Sequence, residues 1–309
     1  MEQAIDPGVP GDSQKARLIV QRTRGKATGP ITRLVSPSDI GQLIKPFVFL
    51  DYIDVKAPIE VDGPLHPHSG IATLTALVEG SFHHQDSKGQ PKTMMTGGIE
   101  WMQAGRGIWH GGPVGTTGAA KLYQLWIALP PALELSAPYE MFVGPEEVPS
   151  EGPAQILMGR SLDGQANLLN VPQPITYLNV HLSEGERWRY TPPRNHDVLW
   201  ISVYSGSLDA GEQVSEGELV VFEHAERSVE FFAKEDCGFV LGSATHSPFD
   251  LVEGYYSVHT NPAALQTGEQ EIGRLGAQLC ADGRLTHERA AKVAHQMSTV
   301  TGSDGSTGA

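Results

Sequence analysis

Read for the spacing of its apolar positions, the chain is a succession of short alternating runs. "IATLTALVEG", "GGIEWMQAG", "KLYQLWIALP", "ITYLNVHLSEG", "DVLWISVYSGSLD", "GELVVFEH", "SVEFFAK" and "CGFVLGSA" are each rich in β-branched and aromatic residues, and most run into glycine, proline or polar turn positions. Period-two alternation is the mark of a strand with one buried face. Many such runs separated by turn residues predict an all-β sandwich or barrel. Glycine (35 residues) and proline (22) supply the punctuation. Helical spacing is confined to one short turn in "SPSDIGQLI" and to two stretches near the C-terminus, "PAALQTGEQEIGRLGAQL" from Pro262 and "THERAAKVAHQM". The final "TVTGSDGSTGA" has the small, polar composition of a disordered tail.

The segment 129–155 holds six prolines and no sustained alternation, so it reads as a connection between two β units. The halves share a coarse order: compare "LVEGSFHH…MTGGIEWMQAG" with "VYSGSLDA…VSEGELVVFEH". That order suggests duplication of one small barrel. The predicted organisation is a flexible arm over 1–16, a first barrel over 17–145, a second over 146–275, and a helical segment with a disordered tail over 276–309.

Charge and cysteine content narrow the functions. A net charge of −14 argues against direct nucleic-acid binding, which needs a basic surface. Any role in nucleic-acid biology would run through a protein partner, and the simpler meaning of the charge is solubility. The two cysteines, Cys237 and Cys280, are far apart and suggest no disulfide framework. The first sixteen residues lack a signal-peptide core, and no apolar run approaches the roughly 18 residues of a membrane span. The expectation is a cytoplasmic protein that does not engage membranes.

The candidate chemistry begins at "GPLHPHSGIATLTALVEG". His66 and His68 stand at i and i+2, so on a strand they project side by side. His110 follows in "WMQAGRGIWHGGPVG". Inward-facing residues of neighbouring barrel strands converge, and three imidazoles without thiolates suit Fe, Zn, Cu, Ni or Mn. The competing reading is two solvent-facing strand histidines and one core histidine. His84 and Asp86 in "FHHQDSKG" share a face, either as acid–base support of such a site or as hairpin-end hydrogen bonders; His83 points the other way, to the surface. Gln124 either lines a pocket or makes a buried structural hydrogen bond. Glu100 has the parity of Met102, yet a glutamate on a strand more often faces solvent, and it is expected there. Arg106 between two glycines reads as a turn or ion-pair residue. Trp101, Trp109, Met94 and Met95 either wall an aromatic pocket or fill core. "GRGIWHGG" lacks the glycine spacing and following helix of a phosphate loop. His181, His196, His224, His246 and His259 show no His-x-His pairing.

Taken together, "PFVFLDYIDV", "HPHSGIATLTALVEGSFHHQDSKG", "MTGGIEWMQAGRGIWH" and "LYQLWIALP" closely resemble the pirin family, two-domain members of the cupin superfamily. "HSPFDLVEGYYSVHTNP" fits more loosely, and the resemblance covers roughly residues 17–275. It implies two cupin β-barrels of jelly-roll type face to face, short C-terminal helices, and a metal in the N-terminal barrel only. Family members include flavonol (quercetin) 2,3-dioxygenases and nuclear proteins that bind transcription-factor complexes. The family ligands fall on His66, His68 and His110, but the fourth, a glutamate, falls on Gly112. Ala72 is a second departure where the family usually has glutamate, so two carboxylates expected around the metal pocket are missing. The family glutamate that ligates the metal is also the expected base, which leaves His84 as the candidate catalytic residue here. The implied cofactor is one divalent transition metal ion, iron ahead of Zn, Mn, Ni or Cu. Three neutral donors leave its +2 charge uncompensated, so partial occupancy is expected. Two functions stay open: a dioxygenase of small aromatic substrates impaired by Gly112, and a non-catalytic module read by a protein partner. A third reading, a purely structural relative, is less compatible with the three histidines.

Overall fold

The computed structural model describes residues 16–159 and 174–301. The expected N-terminal arm, apart from Ala16, lies outside the described residues; of the expected tail, 299–301 continue the last helix and 302–309 lie outside the described residues. The first half forms β1 (Ile19–Thr23), β2 (Lys26–Thr28), β3 (Ile31–Val35), α1 (Ile40–Leu43), β4 (Phe47–Val55), β5 (Ile59–His68), β6 (Ile71–Glu79), β7 (Ser81–Gln85), β8 (Pro91–Met95), β9 (Ile99–Gln103), β10 (Ile108–Thr116), β11 (Ala120–Ala128) and β12 (Tyr139–Val143). Their pairings make a seven-stranded antiparallel sheet, β12-β9-β6-β11-β4-β3-β2, and a four-stranded sheet, β5-β10-β7-β8.

The second half repeats the arrangement. Strands Ser150–Glu151, Ala154–Met158, Ile175–Leu182, Cys237–Ala244, Val198–Ser205 and Leu219–Phe222 form another seven-stranded sheet, whose edge is β1. The strand at the start of the described chain thus completes the sheet of the second half. A four-stranded sheet is built from Arg187–Tyr190, Val229–Ala233, Ser207–Asp209 and Gln213–Ser215. The all-β architecture expected from the alternation is what the structure shows.

Alternation decides what each face of the large first sheet does. In β6, Ala72, Leu74, Ala76 and Val78 join one core cluster, while Thr73 and Thr75 face the opposite side. In β11, Tyr123, Leu125 and Ile127 join the same core, while Gln124 and Trp126 turn away from it. That core also contains Tyr177, Trp200, Tyr204 and Val240 of the second half, so the two large sheets pack face to face. The Phe47 ring meets the edge of Trp200 at 5.4 Å, and the Tyr123 hydroxyl lies 2.9 Å from Ser202 Oγ. Leu74→Ala in this seam would cost about 2–5 kcal/mol by lost transfer energy and cavity formation.

Two helices close the chain. α2 (Pro262–Ala281) starts with proline in its first turn, and the Asn261 side chain caps it by accepting from Ala264 N at 2.9 Å. It runs unbroken through position 275 and packs on β10: Trp109 Nε1 donates to the Ile272 carbonyl at 3.0 Å. Gly276 permits that approach, because a Cβ there would stand 3.1 Å from the Trp109 ring. α3 (His287–Thr301) adds Val293 to the same cluster. The C-terminal helices therefore cover the first barrel. No described helix is long and apolar enough to cross a membrane.

Candidate metal centre

The pairing of β5 with β10 sets His110 opposite His66 and Ile108 opposite His68, which brings the three predicted histidines together. Their ring centroids lie 4.4–5.0 Å apart, and their candidate ligand nitrogens fall within 4.8 Å of one another. Among the described residues this is the one such cluster of three or more. The surface-histidine reading fails, because His68 is 3 % exposed.

Hydrogen bonds fix the rings. His66 donates Nδ1–H to the Pro64 carbonyl at 3.0 Å, and His68 donates Nδ1–H to the Tyr256 carbonyl at 2.8 Å. Each bond selects the tautomer whose Nε2 lone pair is free for an ion. His110 Nε2 is buried without a hydrogen-bond partner. Burial pushes His68 down to about 3, and it lowers His66 and His110 as well, with neighbouring imidazoles adding to the effect on His68 and His110. All three are neutral at pH 7, the form that ligation requires. An orphaned buried nitrogen beside two oriented neutral imidazoles fits a borderline divalent ion.

The cluster opens onto a cavity of about 460 Å³ between the two sheets. Phe49, Phe82, Met102, Trp126 and Tyr256 supply its apolar lining, with Phe49 and Trp126 stacked at 4.0 Å. A polar row crosses the large sheet on the same face. The register places Arg33 opposite Asp51, Asp51 opposite Gln124, Gln124 opposite Thr75, and Thr75 opposite Glu100. Arg33 grips both oxygens of Asp51. The Thr75 hydroxyl donates to Gln124 Oε1 at 3.0 Å and stands 3.5 Å from Glu100 Oε2. A wider cleft of about 790 Å³ between the Asp86–Lys92 turn and α2 contains none of the clustered histidines.

Several expectations are corrected. Glu100 does not face solvent: its side chain is 12 % exposed inside the cavity, and burial, then Glu140, push it up to about 8. Its parity with Met102 decides its direction. Ala72 is not beside the metal pocket. It points into the seam between the large sheets, opposite in parity to Thr73 and Thr75, so no pocket carboxylate is lost there. Trp101 fills that same seam, Trp109 lies under α2, Met94 packs with Leu77 and Leu122, and Met95 is exposed. None of the four lines the cavity: Trp101, Trp109 and Met94 are core, the second of their two readings, and only exposed Met95 fits neither.

His84 and Asp86 part company. His84 is buried in the cavity wall between the rings of Phe82 and Phe142, its Nε2 without a hydrogen-bond partner. Burial pushes it down to about 4. Asp86 instead ties the hairpin end, accepting from Lys88 N at 3.0 Å and Gln90 N at 2.8 Å. Gln124 both lines the cavity and makes a structural hydrogen bond. Arg106 pairs with Glu271 of α2 at 3.7 Å.

Gly112 lies on the cavity rim, where the β5–β10 register slips between His110 and Gly112. Gly111 and Gly112 have φ of +129° and +124°, backbone that L side chains rarely adopt. A Cβ at 112 would meet Gln85 Oε1 at 3.0 Å. The strand therefore does not continue regularly from His110, and positions 110 and 112 do not stand in simple i, i+2 relation. Sequence reasoning passed over Tyr256, Arg33, Asp51 and Arg289. Arg289 donates Nε–H to the Leu65 carbonyl at 3.0 Å and borders the cavity.

Two face-to-face β barrels with a three-histidine cluster in the first define a bicupin, a two-barrel cupin. Residues 29–127 match the Pirin family. A pirin-like protein of Caulobacter vibrioides is 35 % identical over 62 % of this chain and 74 % of its own length, and the chain belongs to the pirin family. A Pseudomonas aeruginosa protein provisionally named a quercetin 2,3-dioxygenase is 37 % identical over 53 % of this chain and 61 % of its own length. The fold is similar to that of quercetin 2,3-dioxygenase from Acinetobacter baumannii, with a TM-score of 0.71 at 20 % identity, covering 84 % of this chain and 98 % of that one. It is also similar to the Escherichia coli pirin YhhW in complex with nickel(II), with a TM-score of 0.56 at 20 % identity, covering 72 % and 94 %.

Proposed function

We propose that this chain is a metal-dependent oxygenase of the flavonol 2,3-dioxygenase type, acting on a planar polyhydroxylated aromatic in the first barrel. The observation that carries the reading is the meeting of three neutral, oriented imidazoles with a cavity that is aromatic on one row and hydrogen-bonding on the next. His66, His68 and His110 would hold the ion, with iron the first assignment and partial occupancy expected from an all-neutral donor set. When bound, such an ion supplies a Lewis-acidic and redox-active centre for substrate and O2.

The chain's own residues account for the rest. Phe49, Trp126 and Met102 offer a flat apolar surface to a ring. Gln124, Thr75 and Glu100 present donors and acceptors in a line along which ring hydroxyls are oriented. Tyr256 flanks the cluster, its ring 5.6 Å from that of His66.

The test is elemental analysis of the purified protein, then anaerobic loading with Fe(II) and addition of quercetin under air. Expected results are O2 uptake with loss of the flavonol absorption, both abolished by His68→Ala. A fully loaded protein that consumes no O2 with any flavonol would overturn the reading. It would favour a second one, a non-catalytic metal-bearing module read by a protein partner, which draws support from the absence of a carboxylate at Gly112.

A further inference from the structure

Glu100 is an expensive residue to place where it is. A carboxyl of 12 % exposure needs a counter-charge or several donors to offset burial. It has neither in strength. On β6, Thr75 stands at 3.5 Å with its proton directed to Gln124. On β7, His84 Nε2 is 3.6 Å away, beyond hydrogen-bond range, and Asp86, just past that strand, is a like charge. On β12, Phe142 is its register partner and Glu140 a second like charge. The cations of this face are engaged elsewhere: Lys92 with Asp86 and the Phe142 ring, and Arg33, at the far end of the polar row, with Asp51. A glutamine would fill this place more cheaply, so the carboxyl itself calls for a reason. Perturbed acids inside cavities are where proton chemistry is found.

The alternatives in the cavity compare poorly. His84, pushed down to about 4, is a weak base at neutral pH. Both oxygens of Asp51 are held by Arg33. Only Glu100, at about 8, combines a free oxygen with a basicity matched to a working pH near neutrality.

Resting on the oxygenase reading above, we propose that Glu100 is the catalytic base that takes the proton from a hydroxyl of the bound aromatic. The substrate O–H bond breaks and its electron pair stays on the substrate oxygen. The proton bonds to a Glu100 carboxylate oxygen and leaves with product or to water. His84, packed between two phenyl rings, lines the cavity beside the carboxyl without bonding to it. Ionised Glu100 becomes more abundant as pH rises towards 8, so proton abstraction gains over that range.

The experiment uses quercetin as probe, first without oxygen and then with it. Anaerobically, ionisation of bound quercetin is read from the red shift of its long-wavelength band across pH in wild type, Glu100→Gln, Glu100→Asp and His84→Gln. Wild type is expected to half-ionise the probe at least about one pH unit below Glu100→Gln, with Glu100→Asp partly restoring the shift. Under air, Glu100→Gln is expected to lose about 10²–10⁴-fold in kcat with KM little changed, and to lose the rise of kcat with pH. Superimposed ionisation curves for wild type and Glu100→Gln would overturn the assignment even if both turn over. So would loss of the shift in His84→Gln with Glu100→Gln unaffected. If no variant consumes O2 while the ionisation difference persists, the oxygenase reading falls and Glu100 stands as the proton acceptor. Failure of quercetin to bind overturns both.

Discussion

His68 donates its Nδ1 proton to the carbonyl of Tyr256, 188 residues later in the chain. The candidate centre is thus held partly by the segment that follows Cys237–Ala244, the last strand of the second half's two larger sheets. Tyr256 adopts φ of +53°, unusual for a non-glycine residue, and a buried network next to it holds that shape. Ser69 Oγ donates to Ser257 Oγ at 3.0 Å and lies 2.9 Å from His259 Nε2. His259 Nδ1 meets Glu134 at 3.1 Å, and Glu134 also accepts from Thr260 N and Oγ1.

Glu134→Ala strips an acceptor from three buried or half-buried donors. The expected loss is at least about 3 kcal/mol, from about 1–3 kcal/mol for each of the three orphaned groups. Because the network holds the carbonyl under His68, metal affinity should fall about 10–100-fold as well. Ser257→Ala is the milder probe, expected to keep the fold while still weakening the ion. Melting curves and metal titrations decide. Undiminished affinity in both variants would show that the network only docks the segment.

Metal loading should itself stabilise the protein. An ion bound by the folded state alone adds about 2.7 kcal/mol at a hundredfold excess over Kd. Wild type should therefore melt higher with Fe(II), Ni(II) or Zn(II) and return to its starting point on chelation. His66→Ala, His68→Ala and His110→Ala should each remove the gain while the metal-free protein stays folded. A gain that survives any one of these substitutions would place the ion elsewhere.

How far the sequence carried this picture depends on which force set each feature. The all-β architecture and the three histidines were legible because period-two spacing and the His-x-His pair are local. Strand pairing then had to do only what registers do, bringing His110 opposite His66. Glu100 departs from the solvent-facing position expected of a strand glutamate because alternation, which it shares with Met102, sets its direction. The polar row of Arg33, Asp51, Gln124, Thr75 and Glu100 comes from five separate strands, so no local pattern announces it. Ala72 shows the converse error: a departure inferred by resemblance was placed at the pocket, whereas alternation puts it in the seam. Tyr256 was hidden because its role is carried by a backbone carbonyl, which has no sequence signature.

Stability should respond to pH from two sides. Burial holds His68 at about 3 and His84 and His196 at about 4, against an ordinary value near 6.5 when unfolded. Below pH 6.5 the unfolded chain takes up protons that the folded one refuses, so stability falls as pH drops from there towards 4. Glu100 acts in the opposite direction. The folded state keeps its proton up to about 8, the unfolded one only to about 4.5, so its contribution declines as pH rises through that window. Glu100→Gln should match wild type at low pH and exceed it by a few kcal/mol above about pH 8. Denaturant midpoints across that range measure the difference, and a constant offset would mean that Glu100 is ionised in the fold.

The last prediction concerns Gly112, where the family resemblance expects a fourth ligand. Glutamate there would face two obstacles. Its backbone would have to hold φ of +124°, a region that costs a non-glycine residue roughly 1–3 kcal/mol. Its Cβ would start 3.0 Å from Gln85 Oε1, close enough that Gln85 must yield. The slip in register after His110 also removes the shared face that would aim the new carboxylate at the three imidazoles. Gly112→Glu should therefore lower the melting temperature and leave metal affinity within a few-fold of wild type. Gly112→Ala separates the causes, since it carries the backbone cost without the carboxylate. If Gly112→Glu binds the ion at least about tenfold more tightly, roughly 1.4 kcal/mol, the rim has rearranged and position 112 does reach the centre. If Gly112→Ala melts like wild type, the strained φ is not what keeps glycine there.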